Sequence, residues 1–284
     1  MATKETLDRL RAAEAAFVAY VTAMAGLQNT WADGGLPGSI AEQQFSRADR
    51  VVIANAYTSA SFALTSANHH LFASWKLAVP DPVPFAVYTV GRSVLEASAL
   101  SMWFTDPTID GVERIRRGIL HRHYGMSELR KFTKDQTHPK QAQNHQHSNA
   151  RLQNVSAQAR NYGVALPTKG RGMPSVTSLV EDYLQGKSDY RLLSAGVHGQ
   201  SWATMGLSMV LATSGPDENG DKRAQPEISD LVLHELLHMT VKAHCRAFQS
   251  AANFFDVSAN PVKDALEPLA VQLASAAKAS GTRA

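Results

Sequence analysis

Five short strings carry side chains able to move protons, hold an anion or bind a metal. The first is HELLHMTVKAH, from His234 to His244. Its HExxH core puts His234 and His238 one helical turn apart, where two imidazoles can share a zinc ion while Glu235 serves as general base toward metal-bound water. A third ligand further along would require the chain to turn after His238, and that position holds Val241 rather than glycine. In an unbroken helix His244 points about 120° away from His238, so a metal here must draw on distant acidic ligands. The same string also fits a core stripe of Leu233, Leu237, Val241, Phe248 and Phe255, with His244 inside it and His234 and His238 on its border.

The second string is YRLLSAGVHG. Tyr190, Ser194 and His198 recur at spacings of four, and Arg191 lies seven residues before His198, so acid, base and hydrogen-bonding groups gather on one helical surface. His198 could equally serve only to cap the helix before Gly199. In the third, Tyr88, Arg92 and Glu96 line one face of a segment that is otherwise apolar all round. Buried charge is costly unless paired, so Arg92 and Glu96 are expected to be buried, to hold each other, and to meet the Tyr190–His198 stripe in space. The fourth pairs Arg116 with His121, and Arg117 stands beside them.

The fifth feature is a block of charge. Net charge over the chain is +3, but residues 114 to 171 hold twelve Lys and Arg against Glu128 and Asp135, a net of +10, leaving −7 for the rest. Such asymmetry points to an anionic partner, RNA or an acidic protein, because clustered cations gain by displacing counterions. It is also what a pair of solvated helix faces would show. With one cysteine, Cys245, neither an internal disulfide nor a thiolate metal cluster can form. No cofactor is expected unless zinc binds at His234 and His238. The longest apolar runs fall short of a membrane span, and the first twenty residues mix acids and bases on a helical period without the pattern of an export signal, so a cytoplasmic protein is expected.

The elements that must position these groups are helices. The spacing of Leu7, Leu10, Phe17, Val21 and Met24 predicts one helix before the break GGLPG at Gly34–Gly38, and residues 40–79 read as a long second one, ended by PDPVP. A central apolar helix follows over about 82–104, then one from Pro107 to about Phe132 with most of its basic residues outward. Residues 133–172 form a polar, partly mobile insertion, and Val176–Leu184 a short helix. Pro226 opens a long C-terminal helix over about 227–255, and a last helix begins near Asn260. No strand-like alternation appears. The reading is an all-α multi-helix bundle, a single helical domain over 1–284.

The strings RSVLEASALSMWFTDP, ERIRRG, MPSVTSLVEDYL and YRLLSAGVHGQSWA, spread between Arg92 and Ala203, resemble a group of uncharacterised, mostly actinobacterial all-helical proteins. Their RxxLE and YRxLSxxxHG signature is in turn reminiscent of HEPN domains, compact helical bundles that in many toxin and defence systems cleave RNA with an arginine and a histidine four to six residues apart. Arg191 and His198 have six residues between them, Arg116 and His121 four. The resemblance implies that His198 moves the proton of an attacking 2′-hydroxyl and that Arg191 or Arg92 steadies the phosphorane. It further implies that Glu96 orients them, that Tyr190, Ser194, Arg116, Arg117 and His121 contact substrate, and that a homodimer completes the site. Leu192 follows Arg191 where the HEPN pattern commonly has a polar residue. Three functional readings remain: a HEPN-like RNA-binding or RNA-cleaving factor of a bacterial stress or defence system, a non-enzymatic partner-binding helical protein, and a zinc-dependent hydrolase using HELLH.

Overall fold

The computed structural model describes residues 4–33, 45–79, 81–135, 140–167, 172–203, 209–211, 224–255 and 260–281. The fold is all-α. Its helices are α1 (Lys4–Ala12), α2 (Glu14–Asp33), α3 (Arg47–Ala78), α4 (Pro84–Phe104), α5 (Gly111–Asp135) and α6 (Gln141–Asn161). They continue with α7 (Val176–Leu179), which runs straight into a π turn at Val180–Leu184, then α8 (Lys187–Val197), α9 (Asp230–Phe254) and α10 (Asn260–Gly281). A departure from the expected absence of strands is an antiparallel ribbon of two three-residue strands, β1 (Met209–Leu211) and β2 (Ala224–Pro226), with Val210 opposite Gln225.

Several boundaries differ from the sequence reading for local reasons. The first predicted helix is two, divided at Ala13; the GGLPG break lies outside the described residues. Helix α3 starts after Ser46, whose hydroxyl accepts from the Asp49 N–H as an N-cap. Pro107 falls in a turn instead of opening a helix: Asp106 accepts from the Thr108 N–H at 2.9 Å, and Asp110 then caps α5 by accepting from the Glu113 N–H at 2.8 Å. Pro226 belongs to β2, and the cap of α9 is Ser229. Within the polar segment 133–172, residues 141–161 are helical and Val155 and Ala159 are buried.

Helix α4 is the central element. It packs against α3, α9, α8 and the α7–π segment, while α5 and α6 form a hairpin that leans on α3, and α1, α2 and α10 pack together beside α9 and α3. The core runs through Trp75, Leu71 and Leu64 of α3, Val94, Leu95 and Phe104 of α4, and Leu233, Leu237 and Phe248 of α9. Close approach is allowed by small residues: a Cβ at Gly196 of α8 would lie 3.2 Å from the Tyr88 ring of α4.

Burying α4 leaves its last carbonyls without water, and two arginines replace it. Arg114 is 2% exposed and donates to the carbonyls of Phe104, Asp106 (3.1 Å) and Ile109 (3.4 Å), with its guanidinium 4.1 Å from the centroid of the Phe254 ring. Arg117 donates to the Trp103 carbonyl and to the Tyr183 hydroxyl at 3.0 Å, and pairs with Glu113 and Asp106. Most basic residues of α5 do lie outward, and Arg114 and Arg117 are the exceptions, drawn inward by orphaned carbonyls and an apolar face.

Replacing Arg114 by Met should cost about 3 kcal/mol in urea unfolding, since several buried carbonyls lose their donor at once. A loss below 1 kcal/mol would show that the end of α4 is solvated. A second expectation concerns acid. Burial holds His244 at about 3, against an ordinary 6.5. The unfolded chain takes up a proton near 6.5 and the folded one does not, so this contribution to stability is intact above that pH and is lost as pH falls toward 3. His234 and His121 are lowered in the same direction by burial. Stability measured at pH 7 and pH 4.5 should drop by several kcal/mol, and His244→Gln should flatten that slope; an unchanged slope would place the imidazole in water.

Candidate functional site

Two polar stripes face each other across the α4–α8 contact. On α4, Arg92 Nε donates to Glu96 Oε1 at 2.7 Å, an ion pair between residues one turn apart. On α8, Tyr190 accepts from Arg92 Nη2 at 3.1 Å and donates to Glu96 Oε1 at 2.9 Å, so its hydroxyl closes a three-residue ring. The guanidinium also lies 5.3 Å from the Tyr190 ring centroid, within cation–π range. Arg92 Nη1 reaches His198 Nε2 at 3.3 Å. Arginine can only donate, so this contact is a hydrogen bond when His198 is neutral with its proton on Nδ1.

The local sequence explains the arrangement. Helix α8 ends at Val197, the His198 N–H bonds back to the Ser194 carbonyl, and Gly199 takes a left-handed turn with φ 63°. His198 is consequently presented at the helix end, exposed, while Tyr190 two turns earlier is buried. Gly196 lets the two helices approach closely enough for the side chains to meet.

The electrostatics follow from partial burial. Desolvation pulls the Arg92 guanidinium toward lower pKa, but its hydrogen bond and charge contact with Glu96 outweigh that and leave it raised. Tyr190 is raised by desolvation and by its bond to Glu96, with Arg92 opposing. The pair is less buried than the apolar character of α4 suggested, its side chains being 24% and 32% exposed. Glu96 also lines a cavity of about 270 Å³ with Ser66, His70, Ser93 and Met173. His70 is a member of this neighbourhood that the sequence reading missed. Burial and the nearby His69 lower its pKa, and Glu96 raises it in part. Its trace in sequence is the spacing of four between Ser66 and His70, among the other polar residues Thr65, Asn68 and His69 of α3.

The remaining candidates lie elsewhere. Arg191 is exposed and makes no ion pair or hydrogen bond among the described residues, so the arginine beside His198 is Arg92. Ser194 contributes its carbonyl. Arg116 is held by Glu113, and Arg117 is occupied at the end of α4. His121 lies edge-on to the Phe104 ring with centroids 5.3 Å apart. Arg117 and His121 thus belong to the packing around α4 and α5, while Arg116 is an exposed partner of Glu113 on its own helix. No residue between Arg114 and Lys134 lines the cavity beside Glu96.

The two histidines of HELLH are separated by environment: His234 is 4% exposed and neither ring nitrogen has a partner among the described residues, whereas His238 is exposed. Among the described residues no group of three His, Cys, Asp or Glu side chains is placed to hold a metal ion. His244 lies wholly inside, its Nδ1 3.2 Å from the Tyr20 hydroxyl. None of the described helices is long and apolar enough to cross a membrane.

No protein-family model matches the chain, and no curated protein or solved structure matches it.

Because Arg92 and Glu96 keep about a quarter to a third of their surface in water, breaking the pair should cost less than a sealed one. Arg92→Met and Glu96→Gln should each lose about 1 kcal/mol, with a coupling of about that size in the double-mutant cycle. Additive losses, with no coupling, would mean that the two charges do not hold each other in solution.

Proposed function

We propose that this chain is a HEPN-like RNA-binding or RNA-cleaving factor of a bacterial stress or defence system, acting through Arg92, Glu96, Tyr190 and His198. The observation that carries the reading is the exposed His198 imidazole with its Nε2 3.3 Å from an arginine that two other side chains hold in place. A histidine and an arginine at that separation can serve one phosphodiester. As Arg92 Nη1 passes from His198 Nε2 to the non-bridging oxygens, where negative charge builds on phosphorus, the freed Nε2 takes the proton of the attacking 2′-hydroxyl. Glu96 and Tyr190 fix the guanidinium and are positioning residues. The His198 imidazolium then returns that proton to the departing 5′-oxygen, giving a cyclic 2′,3′-phosphate. The exposed cations of the α5–α6 hairpin, such as Arg130, Lys134 and Arg151, supply the sequence-independent attraction for the RNA backbone. A second copy of the chain completes the site, as in the HEPN domains it resembles.

A non-enzymatic role for the same surface is the second reading. It is favoured by the Arg92–Glu96 ion pair, which neutralises the arginine before any phosphate arrives.

The test uses an unstructured RNA oligonucleotide. Affinity should fall steeply between 50 mM and 200 mM salt, and cleavage should drop at least 100-fold in His198→Ala while its melting curve stays that of the parent. Binding without cleavage in both proteins would leave an RNA-binding module. Absence of salt-dependent binding would overturn the RNA reading in favour of a protein partner, and about one equivalent of zinc in the purified protein would return attention to His234 and His238.

A further inference from the structure

A second recess lies between α4, α8 and α9, and the Arg92 cluster has no residue in it. It has two adjoining parts. One, of about 320 Å³, is lined by Asp189, Glu235, His238, Lys242 and Arg246, together with the residues that end the π turn. The other, of about 220 Å³, is lined by Leu192, Leu193, Leu231 and Val232, beneath Tyr88 and Leu236. Asp189, Glu235 and Met239 belong to both, so two carboxylates stand at the seam between a polar chamber and an apolar one.

The charges there are uncommitted. Asp189, Glu235, His238 and Lys242 make no ion pair and no side-chain hydrogen bond among the described residues. Arg246 spends one nitrogen on the Leu184 carbonyl at 3.0 Å and has the rest of its fork to offer. All four side chains are exposed, so solvent meets each charge and surface pairing would gain little. Along α9 geometry also keeps them apart: Glu235 and Lys242 are seven residues apart, roughly 10 Å along the axis, and His238 stands between them. The recess therefore presents two anions at one end, two cations at the other, and an apolar pocket beside the anions. Net charge is zero with His238 neutral. The backbone at its rim is also special: the π turn is followed by Gln185 in the left-handed region, with φ 56°, and Gln185 and Gly186 line the polar chamber.

We propose that this recess binds a small apolar zwitterion, an α-amino acid or dipeptide with an aliphatic or aromatic side chain. Its ammonium lies between Asp189 and Glu235, its carboxylate meets Lys242 and Arg246, and its side chain enters the pocket formed by Leu192, Leu231 and Val232. Each part of the ligand answers a separate part of the wall. An inorganic anion would leave the two carboxylates and the apolar chamber unanswered, and an apolar amine would leave the cations so. Glu235, which the HExxH spacing marked as a general base, becomes a ligand-recognition group of this site, and His238 lines its wall.

The experiment is calorimetric titration of the full chain with L-leucine and with L-leucyl-L-leucine, beside N-acetyl-L-leucine, which lacks the ammonium, and L-leucinamide, which lacks the carboxylate. One of the two zwitterions should bind at millimolar concentration or better, and either blocked analogue should bind at least 10-fold more weakly. Glu235→Gln should weaken the zwitterion while bringing its affinity close to that of N-acetyl-L-leucine, and Lys242→Met should do the same toward leucinamide. Glu235 and Lys242 are both exposed, and circular dichroism checks that each variant stays folded; the blocked analogues test the same charges in the unaltered protein. No heat or binding with either zwitterion at 10 mM, or equal binding of blocked and free forms, overturns the proposal.

Discussion

The constraint on which the rest of this structure depends is the burial of α4 on several sides at once. An apolar helix in that position gains hydrophobic stabilisation along its whole length, but its end carbonyls are taken out of water and each unmet one costs more than an ordinary hydrogen bond returns. Arg114 and Arg117 meet that need from the next helix, and in doing so they fix where α5 starts and how it crosses α3. Arg117 ties in Tyr183, whose hydroxyl donates to Asp106 at 2.7 Å and is pushed up to about 12, chiefly by burial and then by that bond. The π turn is thus anchored to the far end of α4, and α8 follows one residue pair later.

Anchoring the π turn places α8, and α8 carries both functional surfaces. Its buried side brings Tyr190 to the Arg92–Glu96 pair, and its last turn puts His198 beside Arg92 at the surface. Its first turn supplies Asp189 to the recess against α9. A short helix held at one end by a capped neighbour and allowed close to α4 by Gly196 is a rigid mount for side chains that must keep hydrogen-bond distances. The two surfaces differ in kind. Around Arg92 the charges are already paired and the imidazole beside them is exposed to solvent, whereas in the recess the charges stand apart.

The buried imidazoles form a third feature of the interior. His244 sits wholly in the core with one nitrogen toward Tyr20, and His234 is enclosed without a partner among the described residues. Neutral histidines in such places add packing volume at neutral pH and become a liability in acid. Their presence beside His238 on one helix shows how a metal-like spacing arises when a core stripe and an exposed face run past each other.

Much of the fold was legible in the residues themselves. Periodicity alone marks α4 as central, α9 as long and the chain as helical, because the apolar stripe is a local pattern that every turn repeats. The spacing of four in Arg92–Glu96 and in Tyr190–Ser194–His198 likewise puts those side chains on common faces, since that follows from helix geometry and nothing else. What sequence cannot carry is which face meets which. Arg92 rather than Arg191 stands beside His198 because α8 packs on α4 with Tyr190 inward, which turns the neighbouring Arg191 to water. Arg114 and Arg117 read as surface charge in a basic run, and only the neighbouring helix end, ten or more residues away, makes them caps. His234 and His238 share a spacing but not an environment, because burial is set by the helices around α9 and not by the four residues between them.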